Sequence, residues 1–307
     1  MSVALRRRHV ALIGCGRWGH NILRDLVTLG AAVTVIDPAP AARQAARAIG
    51  AVQADADLAA LAGVDGAVVA TPTRTHAAVV TALLPLGVPV FCEKPLTADA
   101  AAAARLAAQA PQRLFVMDKW RYHPGVEALA ALARSGELGP VLGLRTTRLG
   151  GRADADVDAV WLLAPHELSI GLEVLGALPP PRAAVALRSG RRASGLIGLL
   201  GDAPWHVFEV SAVAAQPRRE IRLHCRDGVA VLPDAESPHL LVARGDGSVE
   251  HRPLSREWPL QRELRAFLTH LAGGPPPKSA AAEGAAIVAT LASLRALAGL
   301  DVTSAEA

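Results

Sequence analysis

Lysine occurs only at positions 94, 119 and 278, and the first of these comes just after the apolar run 88–92, past Glu93, in the segment "CEKP". An ammonium group at the end of a buried strand can donate a proton or polarise a carbonyl oxygen. The plainer alternative is a structural ion pair between Lys94 and Glu93. Pro95 opens the option of a cis Lys94-Pro95 bond that would aim the ammonium inward. A second reactive group, His166, stands in "VWLLAPHELSI", residues 160–170. Its imidazole can exchange protons near neutral pH, or it can be a core histidine with a hydrogen-bond partner. Gly14, Gly16 and Gly19 form G-x-G-x-x-G, a turn whose missing side chains let backbone amides approach a pyrophosphate at a helix N-terminus. Asp37 follows the next apolar run, where a carboxylate would accept hydrogen bonds from a ribose diol and repel a 2′-phosphate. Pro38 and Ala39 offer no arginine to offset that repulsion, so NAD is favoured over NADP. Against this stands a simple glycine turn followed by an aspartate that caps a helix.

Elements must position these groups, and the first half of the chain supplies them in alternation. Apolar runs at 9–14, 31–37, 66–72, 88–95 and 113–118 predict strands. Helical stretches at 17–29, 40–50, about 74–86 and 97–110 separate them. Strands apolar throughout, with helices between, predict a doubly wound parallel sheet whose ligands sit beyond the carboxyl ends of the strands. In the second half, apolar and polar residues alternate through 206–213 and 219–232, with Asp227-Gly228 as a hairpin turn. Helices are predicted at about 124–135, 165–177, 260–272 and 281–298, the last two separated by "GGPPP".

Bulk composition narrows the class. A chain of 307 residues exceeds the roughly 250 to 300 at which one hydrophobic core stops growing, so two domains are expected. With 51% hydrophobic and 20% charged residues it is globular, and no apolar run reaches the length of about 20 that a bilayer span needs. The net charge of +4 comes from scattered arginines, with Arg6 to Arg8 too short a run for a nucleic-acid patch. Cys15, Cys92 and Cys225 are far apart and read as reduced packing residues, with no metal spacing. The expectation is a cytoplasmic protein without membrane or nucleic-acid partners.

Taken together, "GCGRWG", "ATPTRTH", "CEKPL", "SGELGPVLGLRTTRLGG", "VWLLAPHELSIGLEVLG", "REIRLHCRDGVAVLPD" and "PLQRELRAFLTHL" resemble the Gfo/Idh/MocA family of nicotinamide-dependent oxidoreductases. The resemblance implies an α/β Rossmann domain over 1–120, followed by an α+β domain with an open mixed sheet over 121–307 that forms most of the substrate pocket. It places Gly14, Gly16, Arg17, Trp18, Gly19, Asp37, Thr71, Pro72, His76, Glu93 and Lys94 around the cofactor. Trp18 is expected under the cofactor and His76 at a helix start bordering the nicotinamide. Lys94 would bind and polarise the reacting hydroxyl or carbonyl, and His166 would transfer its proton, so the two must converge on the exposed edge of the bound ring.

Family members often carry an aspartate four residues before that histidine; here Leu162 stands in its place, on the same helical face as His166. Glu167, about 100° further round the helix, is not expected to replace it. Tyr122 either contacts substrate or packs at the domain junction. Arg148 either meets a phosphate or carboxylate on the substrate or is a solvated strand residue. The implied activity is a dehydrogenase or ketoreductase for a sugar, nucleotide sugar or cyclic polyol, in a homodimer or homotetramer. Two alternatives keep the scaffold: a silent dinucleotide-binding regulator, and a reductase of an imine or other non-sugar carbonyl.

Overall fold

The computed structural model describes residues 7–150, 157–190 and 192–301. Strand β1 (His9–Ile13) leads into α1 (Arg17–Thr28), and alternation continues through β2 (Ala32–Ile36), α2 (Pro40–Ile49), β3 (Gln53–Asp55), β4 (Gly66–Val69), α3 (Thr73–Leu83), β5 (Val90–Glu93), α4 (Ala100–Gln109) and β6 (Leu114–Met117). The strands pair in parallel in the order β3, β2, β1, β4, β5, β6. Every residue of β4, β5 and β6 is buried, as expected of a parallel sheet covered on both faces. The order reverses direction between β1 and β4, which opens a crevice at their carboxyl ends. The short edge strand β3 was not predicted; its sequence, Gln-Ala-Asp, carries no apolar run.

After a tight turn at Lys119–Tyr122 come α5 (Pro124–Ser135), β7 (Val141–Leu149), α6 (Ala159–Leu175), β8 (Pro181–Ser189), β9 (Arg192–Leu200), β10 (Trp205–Ser211), β11 (Arg218–Cys225), β12 (Gly228–Leu232), β13 (His239–Arg244), β14 (Val249–Pro253), α7 (Pro259–Leu271) and α8 (Ala281–Leu297). A mixed sheet runs β14, β13, β12, β11, β7, β10, β9, β8, with β7 and β10 parallel and the other neighbours antiparallel. Val126, Leu129 and Ala130 of α5 and Ile170 and Val174 of α6 share a core with Leu144, Leu223, Leu232 and Val242 of the sheet. The predicted hairpin at Asp227-Gly228 joins β11 to β12.

Two compact units result. One holds residues up to Thr97, Ala101–Lys119 and Trp258–Ala285; the other holds Ala98–Ala100, Trp120–Glu257 and the chain from Ala286 onward. The expectation of a single domain over 121–307 therefore changes, because α7 returns to the first unit. Leu260, Leu264 and Phe267 form a stripe at helical spacing, and they bury into the core of the parallel sheet. Phe267 stacks on Phe91 of β5 with ring centroids 5.0 Å apart.

Helix α6 also starts earlier than its proline suggested. Asp158 caps it, with Oδ1 accepting from the backbone N–H groups of Val160 and Trp161 at 3.0 Å each. Pro165 thus lies inside the helix, where it removes one backbone donor.

Candidate functional site

In the first unit the chemistry-bearing residues gather at the carboxyl ends of the parallel strands. Gly14 has φ of +88°, and a Cβ built there would stand 2.8 Å from the Ala70 oxygen and the Thr71 nitrogen. At Gly19 a Cβ would come within 2.4 Å of the Gly14 oxygen. The turn after β1 is therefore as close to the end of β4 and to α1 as backbone allows. Gly16, by contrast, faces open space and is the N-cap of α1 with no side chain to occupy the helix end. That open, positively polarised terminus suits the pyrophosphate of a dinucleotide. Arg17, next along, is exposed.

Asp37 is held as a receptor. Its Oδ2 accepts from the Cys15 N–H at 2.7 Å and its Oδ1 from the Ala39 N–H at 2.9 Å. It is not the cap of α2; Ala39 occupies that position. Two backbone donors fix the carboxylate beside the glycine turn, where a ribose diol can donate to its remaining lone pairs. Burial, and after it the Asp37 charge, pushes the Cys15 thiol up to about 11, so it stays protonated. Sequence reading missed Arg43, which reaches back from the first turn of α2 to donate to the carbonyls of Asp37 and Pro38 at 2.8 Å each. A basic residue in the turn after the acid was the available signal.

The E-K-P segment closes the same edge. The Lys94-Pro95 bond is cis, as expected. Glu93 divides its carboxylate: Oε1 accepts from the Trp18 indole and Oε2 from the Lys94 backbone N–H at 3.0 Å. Trp18, 37% exposed, thus extends from α1 to the end of β5, and the Lys119 ammonium lies 4.4 Å from its ring centroid. His76 stands in the first turn of α3, the helix start that was expected. It is buried, with Nδ1 2.9 Å from the Pro95 oxygen and Nε2 2.9 Å from the Thr71 oxygen. Both ring nitrogens face backbone carbonyls, so His76 clamps the Pro95 turn to the end of β4. Pro72, exposed, is the N-cap of α3, and the Thr71 hydroxyl accepts from Thr75 at 2.8 Å.

In the second unit, α6 is buried around nearly its whole circumference. From Ala159 to Gly171 only Leu162 and His166 are partly open, one turn apart on one face. This is the face that the sequence assigned to chemistry. Glu167 is buried and paired with Nε of Arg148, whose guanidinium lies 4.5 Å from the centroid of the Trp120 ring. Arg148 is neither a solvated strand residue nor a receptor open to a substrate anion: it is 5% exposed and its charge is matched by Glu167. Glu167, committed to that pair, does not stand in for the acid absent at Leu162, as expected. Tyr122 is buried just before α5. Arg121 pairs with Glu173 of α6 at 3.0 Å, a second brace on this helix.

The comparisons with known proteins agree with this geometry. Residues 8–117 match the family model described as "Oxidoreductase family, NAD-binding Rossmann fold". An inositol 2-dehydrogenase from Renibacterium salmoninarum is 32% identical over 166 residues, covering half of this chain and half of that enzyme. A UDP-N-acetylglucosamine 3-dehydrogenase from Acidithiobacillus ferrooxidans is 27% identical over 232 residues, covering 70% of this chain and 73% of that one. The solved structure of the latter superposes with a TM-score of 0.83 at 25% identity, over 95% of this chain and 97% of that one. The match thus spans about half the length of the inositol dehydrogenase. Over residues 8–117 the chain matches the Gfo/Idh/MocA oxidoreductase family, and the parallel-sheet unit built from those residues is an NAD-binding Rossmann unit. Among the described residues no helix is long and apolar enough to cross a membrane, and no cluster of His, Cys, Asp or Glu could hold a metal ion.

Proposed function

We propose that this protein is an NAD-dependent dehydrogenase acting on a secondary alcohol of a sugar, nucleotide sugar or cyclic polyol. The observation that carries this reading is Lys94, which shares one sheet edge with the glycine turn and the fixed Asp37 carboxylate. The inositol and UDP-N-acetylglucosamine dehydrogenases described above support the substrate class.

Bound NAD supplies the hydride acceptor. The chain's own residues do the rest. The α1 N-terminus would hold the pyrophosphate and Asp37 would receive the ribose hydroxyls. The Lys94 ammonium holds the substrate oxygen and stabilises its developing negative charge. His166 would take the proton of the substrate hydroxyl and become an imidazolium. Neither Leu162 nor Glu167 provides a carboxylate to that imidazolium. Three free, buried thiols support a reducing cytoplasmic setting, and apolar side chains exposed on the second sheet, Val185 and Ile197, support a homodimer or homotetramer.

The test is NADH titration of the purified protein, followed by NAD reduction assays with myo-inositol and UDP-N-acetylglucosamine. Lys94→Ala is expected to keep NADH binding and to lose at least about tenfold in turnover. A Lys94→Ala protein as active as wild type overturns the mechanism.

A further inference from the structure

Glu263 lies on α7 at 0% exposure, and neither of its carboxyl oxygens has a hydrogen-bond partner. Such a group in a native fold calls for a reason. The charged groups that act on it are Glu93 at the end of β5 and Asp118 and Lys119 just past β6, all in the first unit. Burial, then Glu93 and Asp118, push its carboxyl well above the usual range, against the pull of Lys119. It is thus a neutral acid that carries a hydrogen. A carboxyl that accepts no bond can be satisfied only by donating, and its nearby acceptors are carboxylates. Leu271 of α7 packs against Gly66 at the start of β4, and Phe267 stacks on Phe91 of β5, so α7 runs back along the strands; Glu263, one turn before Phe267, is thus brought to Glu93, two residues past Phe91 on the same face of β5. Glu93 is also the residue that ties Trp18 to Lys94.

We propose that Glu263 is a positioning residue whose carboxyl hydroxyl donates to the Glu93 carboxylate, and thereby holds Trp18 and the Lys94 backbone in register with the glycine turn. This rests on the NAD reading of the first unit, and it concerns binding geometry, not a contact with substrate. Its place on the buried stripe of α7, three residues after Leu260 and four before Phe267, was a sequence signal: a lone acid where an apolar residue is expected.

The test uses the intact protein with NADH as probe. Glu263→Gln keeps a neutral donor of the same shape; Glu263→Met keeps the volume and removes the donor. NADH affinity is read by titration. The Trp18 indole signal is read by ¹H–¹⁵N NMR, assigned with Trp18→Phe. Glu263→Gln is expected to stay within about twofold of wild-type affinity with the indole signal in place. Glu263→Met is expected to bind NADH at least about fivefold more weakly, with the indole signal shifted. A methionine variant unchanged in both, or a glutamine variant as impaired as the methionine one, overturns the proposal. Should Glu263→Met fail to fold, infrared difference spectroscopy of wild type against Glu263→Gln decides: a protonated-carboxyl band at neutral pH supports the assignment and its absence overturns it. Neither spectroscopic arm depends on turnover, so a protein lacking dehydrogenase activity would leave both readable.

Discussion

Arg295, near the end of α8, donates from Nη1 to Oδ2 of Asp158 at 2.7 Å, while the other oxygen of that carboxylate caps the helix that carries His166. The same guanidinium donates from Nε to the Asp301 oxygen at 2.9 Å and lies 5.6 Å from the Trp161 ring centroid. One arginine therefore ties the start of α6 to the turn that follows α8. Replacing Arg295 with Met removes the guanidinium from the Asp158 carboxylate. The expected cost is about 2 kcal/mol, below the range for a fully enclosed pair because Asp158 keeps some solvent contact. Equilibrium unfolding in urea measures it.

On the proposed reading, the Asp37 carboxylate would discriminate between the two nicotinamide dinucleotides. Cys15 and Ala39 fix its carboxylate, and Arg43 already lies on the neighbouring carbonyls. In Asp37→Ser the repelling charge is gone and the guanidinium remains. NADPH affinity relative to NADH is expected to rise by at least about tenfold, an order of magnitude typical of exchanging repulsion for an ion pair. Parallel titrations with both dinucleotides give the ratio.

Leu162 and His166 share the open face of α6. A carboxylate introduced by Leu162→Asp would sit one turn from the imidazole and favour its charged form. The acid limb of the kcat/KM profile should move to higher pH, since a base that holds its proton more tightly is uncovered later. A pH–rate profile for each protein is the measurement, and unchanged limbs would separate His166 from the rate.

His206 on β10 gives the fold a pH dependence of known sign. Burial pushes its imidazole down from 6.5 to about 3. Above pH 6.5 both folded and unfolded chains hold it neutral and its contribution is flat. As the pH falls below 6.5, the unfolded chain binds a proton that the folded one refuses, so stability declines. Between pH 7 and pH 5 wild type should lose about 2 kcal/mol through this residue, at about 1.4 kcal/mol per unit below 6.5. His206→Gln should lack that part of the slope whatever its overall stability, and urea midpoints at the two pH values show it.

The alternation of the first sheet was legible because parallel strands buried on both faces write continuous apolar runs, as in "HVALIG" and "VPVFCEKP". The tight glycine turn and the carboxylate fixed beside it were legible for the same reason: Gly14, Gly19 and Asp37 lie within a few residues of those runs. Long-range pairs were not. Nothing near Arg148 announces Glu167 as its partner, and His76 gives no hint that its two nitrogens meet carbonyls from different loops. Strands β8 and β9 were missed because "PPPRAAVALRSG" and "SGLIGLLG" break alternation with proline and glycine. For α6, Pro165 resembled a first helical residue, while the true start was signalled by Asp158 seven positions earlier, outside the apolar segment.

Because α7 covers strands made more than a hundred residues before it, biosynthesis cannot finish the nucleotide-binding half in order. A nascent polypeptide paused at Glu257 on the ribosome would own all six strands of the parallel sheet, yet show Phe91 and its neighbours to the cytosol. Chaperone engagement should be greatest over that interval, and it should end when Phe267 has cleared the exit tunnel.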